Sequence, residues 1–213
     1  MSGRLIIVRH GETDWNKEKL IQGVTDIPLN ETGKKQAESL AEYLHRYYAI
    51  DAIFCSPLQR AWQTAACFAG LSGLPIQKEE GLKEIHFGDW EGKTFAQIGK
   101  SHPEALAHWV NDPSRCVIPG KGESVKQVYR RFVAVARDVC EKYEGKSVLI
   151  VSHHVPCKMI LAEAIGLSLE QMHGIKLENC GVNVLDIGKE RSVLRRLNEM
   201  PYHDPEQMKG EGW

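Results

Sequence analysis

Residues 5–13 read Leu5-Ile6-Ile7-Val8-Arg9-His10-Gly11-Glu12-Thr13, and the first four decide the fold class. A run of aliphatics rich in β-branched residues and stopped by Arg9-His10 suits a strand that is apolar on both faces, as strands of parallel sheets are. Ser147–Val151 (Ser-Val-Leu-Ile-Val) repeats the pattern and runs into Ser152-His153-His154. A third, shorter strand is expected at Asp51–Cys55. It leads through Ser56-Pro57 into a helical stretch from Leu58 to Ala69. Between the first and third strands, Asn30 can cap a helix whose apolar positions Ala37, Leu40, Ala41 and Leu44 recur at helical spacing. Strand, helix, strand, helix in this order predicts a three-layer α/β/α sandwich with a mostly parallel central sheet.

Outward from that frame the sequence is less regular. Gly70–Gly73 is expected to break the helix, and Pro75–Gln77 to form a brief edge strand. Gly81–Gly92 reads as an ordered loop, and 95–111 as short helices interrupted at Pro103. After a loop over 113–122, Val125, Val128, Phe132, Val135 and Val139 give one helical stripe. A helix over Val155–Ile165 carries Pro156 in its first turn. Val182–Ile187 and Ser192–Leu197 close the sheet. The expected organisation is one domain over 1–213, with an insertion or lid over about 70–122 and a polar tail over 201–213.

Composition narrows the function classes. Of 213 residues, 42% are hydrophobic and 26% charged, enough for a proper core. A formal net charge of −1 gives no global attraction to nucleic acid or an acidic membrane, so any anion must be held by a local cluster. The six cysteines are scattered without a C-x-x-C pair, which fits reduced thiols used as small hydrophobes. The apolar run at 5–8 is too short for a signal-peptide core, and no stretch approaches a membrane span. A cytoplasmic protein is therefore expected.

Ligands of open α/β sheets bind at the carboxyl ends of the strands. Arg9-His10 and His153 fall at that edge, and Arg60 sits in the first turn of the helix after the third strand. Two arginines and two histidines at one rim repel each other unless a dianion such as phosphate neutralises them. Arginines beside a histidine favour its neutral form, which can attack phosphorus. Glu84, in a glycine-flanked loop, is the candidate proton donor to the leaving oxygen. Other motifs fail. Gly88 to Thr94 resembles a Walker loop with three residues between its glycines where four are needed, and Gly120-Lys121-Gly122 is no dinucleotide fingerprint. Adjacent His153 and His154 point apart on a regular element, so no metal and no cofactor is expected.

The same residues resemble the signature of the histidine phosphatase superfamily, in its phosphoglycerate-mutase-like branch. Arg9-His10-Gly11-Glu12-Thr13 with Trp15-Asn16 carries the likeness, followed by Gln22-Gly23, Ser56-Pro57-Leu58, Arg60-Ala61 and Gln63-Thr64-Ala65. Glu84, Phe87 to Gly92, Gly122-Glu123-Ser124 and Ser152-His153 complete it. The resemblance implies His10 as phosphorylated nucleophile and Arg9, Arg60 and His153 as the rest of the phosphate pocket. It implies Glu84 as acid and base, with Asn16, Gln22 and Gly23 near the substrate phosphate. Phe87-Gly88-Asp89-Trp90-Glu91-Gly92 is similar to the α-ribazole phosphatase and broad-specificity phosphatase members.

Mutases of that family carry a longer insertion between the acid residue and the second histidine than the interval from Glu84 to His153, so the resemblance implies hydrolysis of a small phosphate ester, α-ribazole 5′-phosphate among the options. The alternatives are a cofactor-dependent phosphoglycerate mutase and a non-catalytic phospho-ligand binder. One departure stands out: position 154 is His where relatives usually carry Gly, whose N–H approaches the phosphate. His154 either donates that N–H with its ring turned away, or narrows the pocket and meets the substrate. Trp90 and Trp109 are expected to pack rather than to wall the substrate.

Overall fold

The computed structural model describes residues 3–188 and 191–200; the expected polar tail at 201–213 lies outside them. Six strands form one sheet in the order β3-β2-β4-β1-β5-β6. They are β1 (Gly3–Arg9), β2 (Ala52–Cys55), β3 (Ile76–Lys78), β4 (Ser147–Ser152), β5 (Val182–Ile187) and β6 (Ser192–Glu199). β3, β2, β4 and β1 run parallel, while β5 lies antiparallel to β1 and β6 antiparallel to β5.

The aliphatic runs are buried on both faces, as their composition requires. Leu5 and Ile7, with Val148 and Ile150, pack beneath α6 (Val125–Lys142) and α7 (His154–Ala164), against Phe132, Ala136 and Leu161. Ile6 and Val8, with Leu149 and Val151, face the other way. They meet Leu40, Leu44, Ala61 and Phe68 of α2 (Glu31–Tyr47) and α3 (Gln59–Ser72). Strict alternation along two strands thus produces three layers, because successive side chains of a strand leave opposite faces.

Most differences from the sequence reading lie at element ends. α3 does not stop at Ala69: it runs through Gly70 to Ser72 and ends at Gly73, whose φ of 71° supplies the left-handed cap. Gly70 weakens a helix only mildly, and the buried Phe68 holds that turn in place. β3 begins one residue after Pro75, and α7 begins at His154. The loop over 81–92 contains single 3₁₀ turns at Glu80–Leu82 and Gly88–Trp90, and Pro113–Arg115 forms another. α4 (Phe95–Ser101) and α5 (Pro103–Asn111) are the two short helices separated at Pro103. On α6 the buried face takes in Val133 and Ala136, whereas Val135 is only half-buried.

A third apolar cluster joins Ile85, Phe87, Trp90, Ile98, Trp109 and Ile118 to Val128, Val155 and Met159. It fixes the irregular middle of the chain over the carboxyl ends of the strands. No disulfide joins the six cysteines among the described residues, and five of the six are buried. No helix among the described residues is long and apolar enough to cross a membrane.

Candidate functional site

Strand register places the two histidines. Arg9 pairs with Ser152 across the parallel β1–β4 ladder, so His10 and His153 leave the sheet side by side. Their ring centroids are 5.1 Å apart. The His10 backbone is tied at both ends: its N–H donates to Ser152 O at 3.0 Å, and its carbonyl accepts from Asn179 Nδ2 at 2.8 Å. Thr64 Oγ1 accepts the next amide, that of Gly11, at 3.0 Å.

Hydrogen bonds to the rings fix both tautomers. His10 Nδ1 is 2.7 Å from Gly11 O. A carbonyl only accepts, so Nδ1 carries the proton and Nε2 keeps its lone pair. For His153 the logic is reversed. Arg60 Nε donates to His153 Nδ1 at 3.2 Å, so in the neutral ring the proton sits on Nε2. That Nε2–H is buried and has no partner in the protein. One ring thus presents a lone pair and the other a donor.

Arg60 is fully buried on the first turn of α3. Its Nη1 donates to Thr25 O at 2.8 Å and its Nη2 to Gly23 O at 2.7 Å. Three of its five N–H groups are therefore spent on scaffolding and two are left for a ligand. Gly23 has φ of 52°, and a Cβ there would run into the Glu91 carboxylate, so only glycine fits. Glu91 in turn accepts the amides of Val24, Thr25 and Phe87, which joins the Gln22–Thr25 loop to the Phe87–Trp90 turn.

Glu84 is held at the start of α7. Its Oε2 accepts the His154 amide at 3.0 Å, while its Oε1 accepts Ile85 N–H at 2.9 Å and Val155 N–H at 3.3 Å. Pro156, next along, has no N–H to satisfy, so one carboxylate and one proline account for the first turn of the helix. The His154 amide therefore serves Glu84 and not a bound anion. His154 lines the cavity, and its Nδ1 is buried with no hydrogen-bond partner among the described residues.

Arg131, on α6, uses all its nitrogens to hold the Glu84 loop. It donates to the carbonyls of Gly81, Lys83 and Glu84 and forms a two-pronged pair with the Glu123 carboxylate at 2.9 Å.

Burial sets the protonation states and nearby charges adjust them. His10 and His153 are pushed well below the ordinary imidazole value, first by burial and then by Arg60. The arginines are thus the second cause of a neutral His10, where the sequence reading made them the first. Burial raises Glu84, against the opposing pull of the Ile85 amide, Arg60, Arg9 and Arg131.

These groups surround a cavity of about 530 Å³. Arg9, His10, Asn16, Gln22, Gly23, Arg60, Glu84 and His154 line it, and His153 sits just behind His10. Asn16 Oδ1 accepts from Thr13 N–H at 3.2 Å, which leaves its Nδ2 as the available donor. Trp109 lines the cavity as well as packing against Phe87 and Trp90, whereas Trp90 is wholly in the core. Residues the sequence did not point to are Asn179, Arg131, Lys158 and His173. Of these Lys158 had a readable signal, being a lysine one helical turn after His154 within the apolar run Val155–Ala162.

The histidine phosphatase superfamily (branch 1) matches the chain over residues 5–200. The chain is 34% identical over 195 residues to phosphoserine phosphatase 1 of Hydrogenobacter thermophilus, covering 92% of each. It is 31% identical to the adenosylcobalamin/α-ribazole phosphatase of Escherichia coli, covering 92% of this chain and 95% of that one. A crystal structure of a phosphoserine phosphatase mutant from Entamoeba histolytica with phosphoserine superposes with a TM-score of 0.85 at 30% identity. That superposition covers 94% of this chain and 98% of the other. The chain belongs to the histidine phosphatase superfamily and is a phosphatase of it.

Proposed function

We propose that the protein hydrolyses small phosphate monoesters through a phosphohistidine on His10. The observation that carries this reading is the Nδ1–H bond to Gly11 O, which leaves Nε2 unprotonated beside a buried donor on His153. In the first step His10 Nε2 attacks phosphorus as the ester P–O bond breaks. His153 Nε2–H and the arginines hold the equatorial oxygens. Glu84 gives its proton to the departing alkoxide. A bound dianion raises the affinity of Glu84 for that proton further, since two negative groups in one site disfavour each other. In the second step Glu84 takes a proton from water, the water oxygen attacks the phosphohistidine, and phosphate leaves with neutral His10 restored. A binding module would have no use for a buried proton donor at this position, and the short Glu84–His153 interval supports hydrolysis over mutase chemistry.

The test is to incubate the protein with a radiolabelled phosphate ester, quench, and follow the label. An acid-labile, alkali-stable label that maps to His10 is expected. Label of the same stability retained in His10→Ala would sink the nucleophile assignment.

A further inference from the structure

Besides the exposed Lys19, the cavity is lined by a buried cation that the reaction above does not use. Lys158, on α7, lines it and is only 6% exposed. Its ammonium makes no hydrogen bond or ion pair with any described residue. It lies one helical turn beyond His154, on the same face of α7. His173, whose Nε2 donates to Trp109 O at 2.8 Å, lines the same part of the cavity. A buried, unpaired ammonium is costly, and proteins keep such groups mainly where something else neutralises them.

Charge balance indicates what that is. When Glu84 is protonated to serve as acid, the charged side chains lining the cavity are the exposed Lys19 and, withdrawn from solvent, Arg9, Arg60 and Lys158. A phosphate dianion matches two of the latter three. We infer that Lys158 binds a second anionic group, a carboxylate on the alcohol portion of the substrate, so the preferred substrates are small carboxylated phosphate monoesters. This rests on the hydrolytic reading above. Burial and Arg9 lower the Lys158 ammonium to about 8, which leaves it charged at neutral pH and available for the pairing. Lys158 is buried, so a pair formed there is worth more than a surface pair.

The experiment compares phosphoserine with phosphoethanolamine, which differs from it by the carboxylate alone, in the wild type, Lys158→Met and Lys158→Arg. In the wild type, kcat/KM is expected to favour phosphoserine. Lys158→Met should lower it for phosphoserine by roughly 10- to 100-fold, mainly through KM, as for loss of a charge-assisted bond. Phosphoethanolamine should change less than about 3-fold, and Lys158→Arg should recover part of the loss. Equal losses on both esters would mean that Lys158 holds the phosphate, and the inference would fall. It would fall equally if neither ester responded, or if α-ribazole 5′-phosphate, which has no carboxylate, were the better substrate. The hydrolytic reading fails separately, through persistence of aryl phosphate turnover in His10→Ala.

Discussion

The floor of the cavity and its outer half are built on opposite principles. On the floor the catalytic side chains are already oriented by hydrogen bonds to the protein. Gly11 O orients His10, Arg60 orients His153, two loop carbonyls hold Arg60, and three amides hold Glu84. In the outer half, neither the Lys158 ammonium nor His154 Nδ1 has a hydrogen-bond partner among the described residues. The difference teaches where chemistry ends and recognition begins. Groups that must be in place before the transition state are prepaid in hydrogen bonds, whereas groups that read the substrate wait for it.

The severest way to break this comparison is to remove the nucleophile. His10→Ala should cut turnover of an aryl phosphate by about 10⁴-fold or more, with little loss of folding. A steady-state assay and a thermal melt check both parts. If substantial turnover remained, the preorganised floor would not be the site of reaction.

Glu84→Gln keeps the shape and removes the transferable proton, while its amide nitrogen replaces one of the two oxygens that accept backbone N–H groups. Its expected cost is about 10²–10³-fold on an alkyl ester. An aryl ester with a good leaving group should lose far less in the first step, because its leaving oxygen needs no proton. Rates across a series of leaving groups give the readout. A uniform loss across that series would make Glu84 a structural cap of α7 and no acid.

How much of this was legible in the sequence follows the same division. Period-2 burial on Leu5–Val8 and Val148–Val151 is a local property, so strands, layers and the meeting of His10 with His153 were readable from strand ends. His10, His153 and Arg60 could be named as candidates for the same reason, each being adjacent in sequence to the strand end or helix start that places it, whereas Glu84 is placed by α7 and Arg131, far along the chain. What was not readable depends on contacts distant in sequence. Arg131 reaches back 47 residues to the Glu84 carbonyl, and Asn179 reaches 169 residues to His10 O. No spacing rule announces such bonds. Donation of the His154 amide to an anion is one of the two readings the sequence leaves open, and no spacing shows that the Glu84 carboxylate, 70 residues earlier, accepts that amide.

Arg131→Met tests whether the floor needs its support. All five donors of Arg131 are engaged, so the loop over 81–84 should loosen without any group touching the reacting atoms being removed. A fall in kcat of roughly 10-fold on alkyl esters and a smaller one on aryl esters is expected, because only the former depend on the position of Glu84. A loss equal on both, accompanied by a matching fall in Tm, would point to general destabilisation. Retention of the leaving-group dependence seen in the wild type would exclude a positioning role.

The smallest effect sharpens the outer half. If Lys158 is unpaired without ligand, replacing it by Met in a phosphate-free buffer should stabilise the protein, by roughly 2–6 °C in Tm for a chain of this size. The sign depends on pH in a way that a packing effect would not. The folded-state value of Lys158, about 8, lies below its ordinary 10.5, so the unfolded chain binds the extra proton between those limits. Stability of the wild type is therefore lowered in full below pH 8 and recovers as the pH rises towards 10.5. The advantage of Lys158→Met should be largest at pH 7 and shrink through that window. Met at this position also extends the apolar face of α7, a contribution independent of pH that leaves a constant residue above pH 10.5. A difference that stayed flat from pH 7 to 10.5, or a destabilised variant at pH 7, would show that the ammonium is already satisfied by the protein. The outer half would then be as preorganised as the floor.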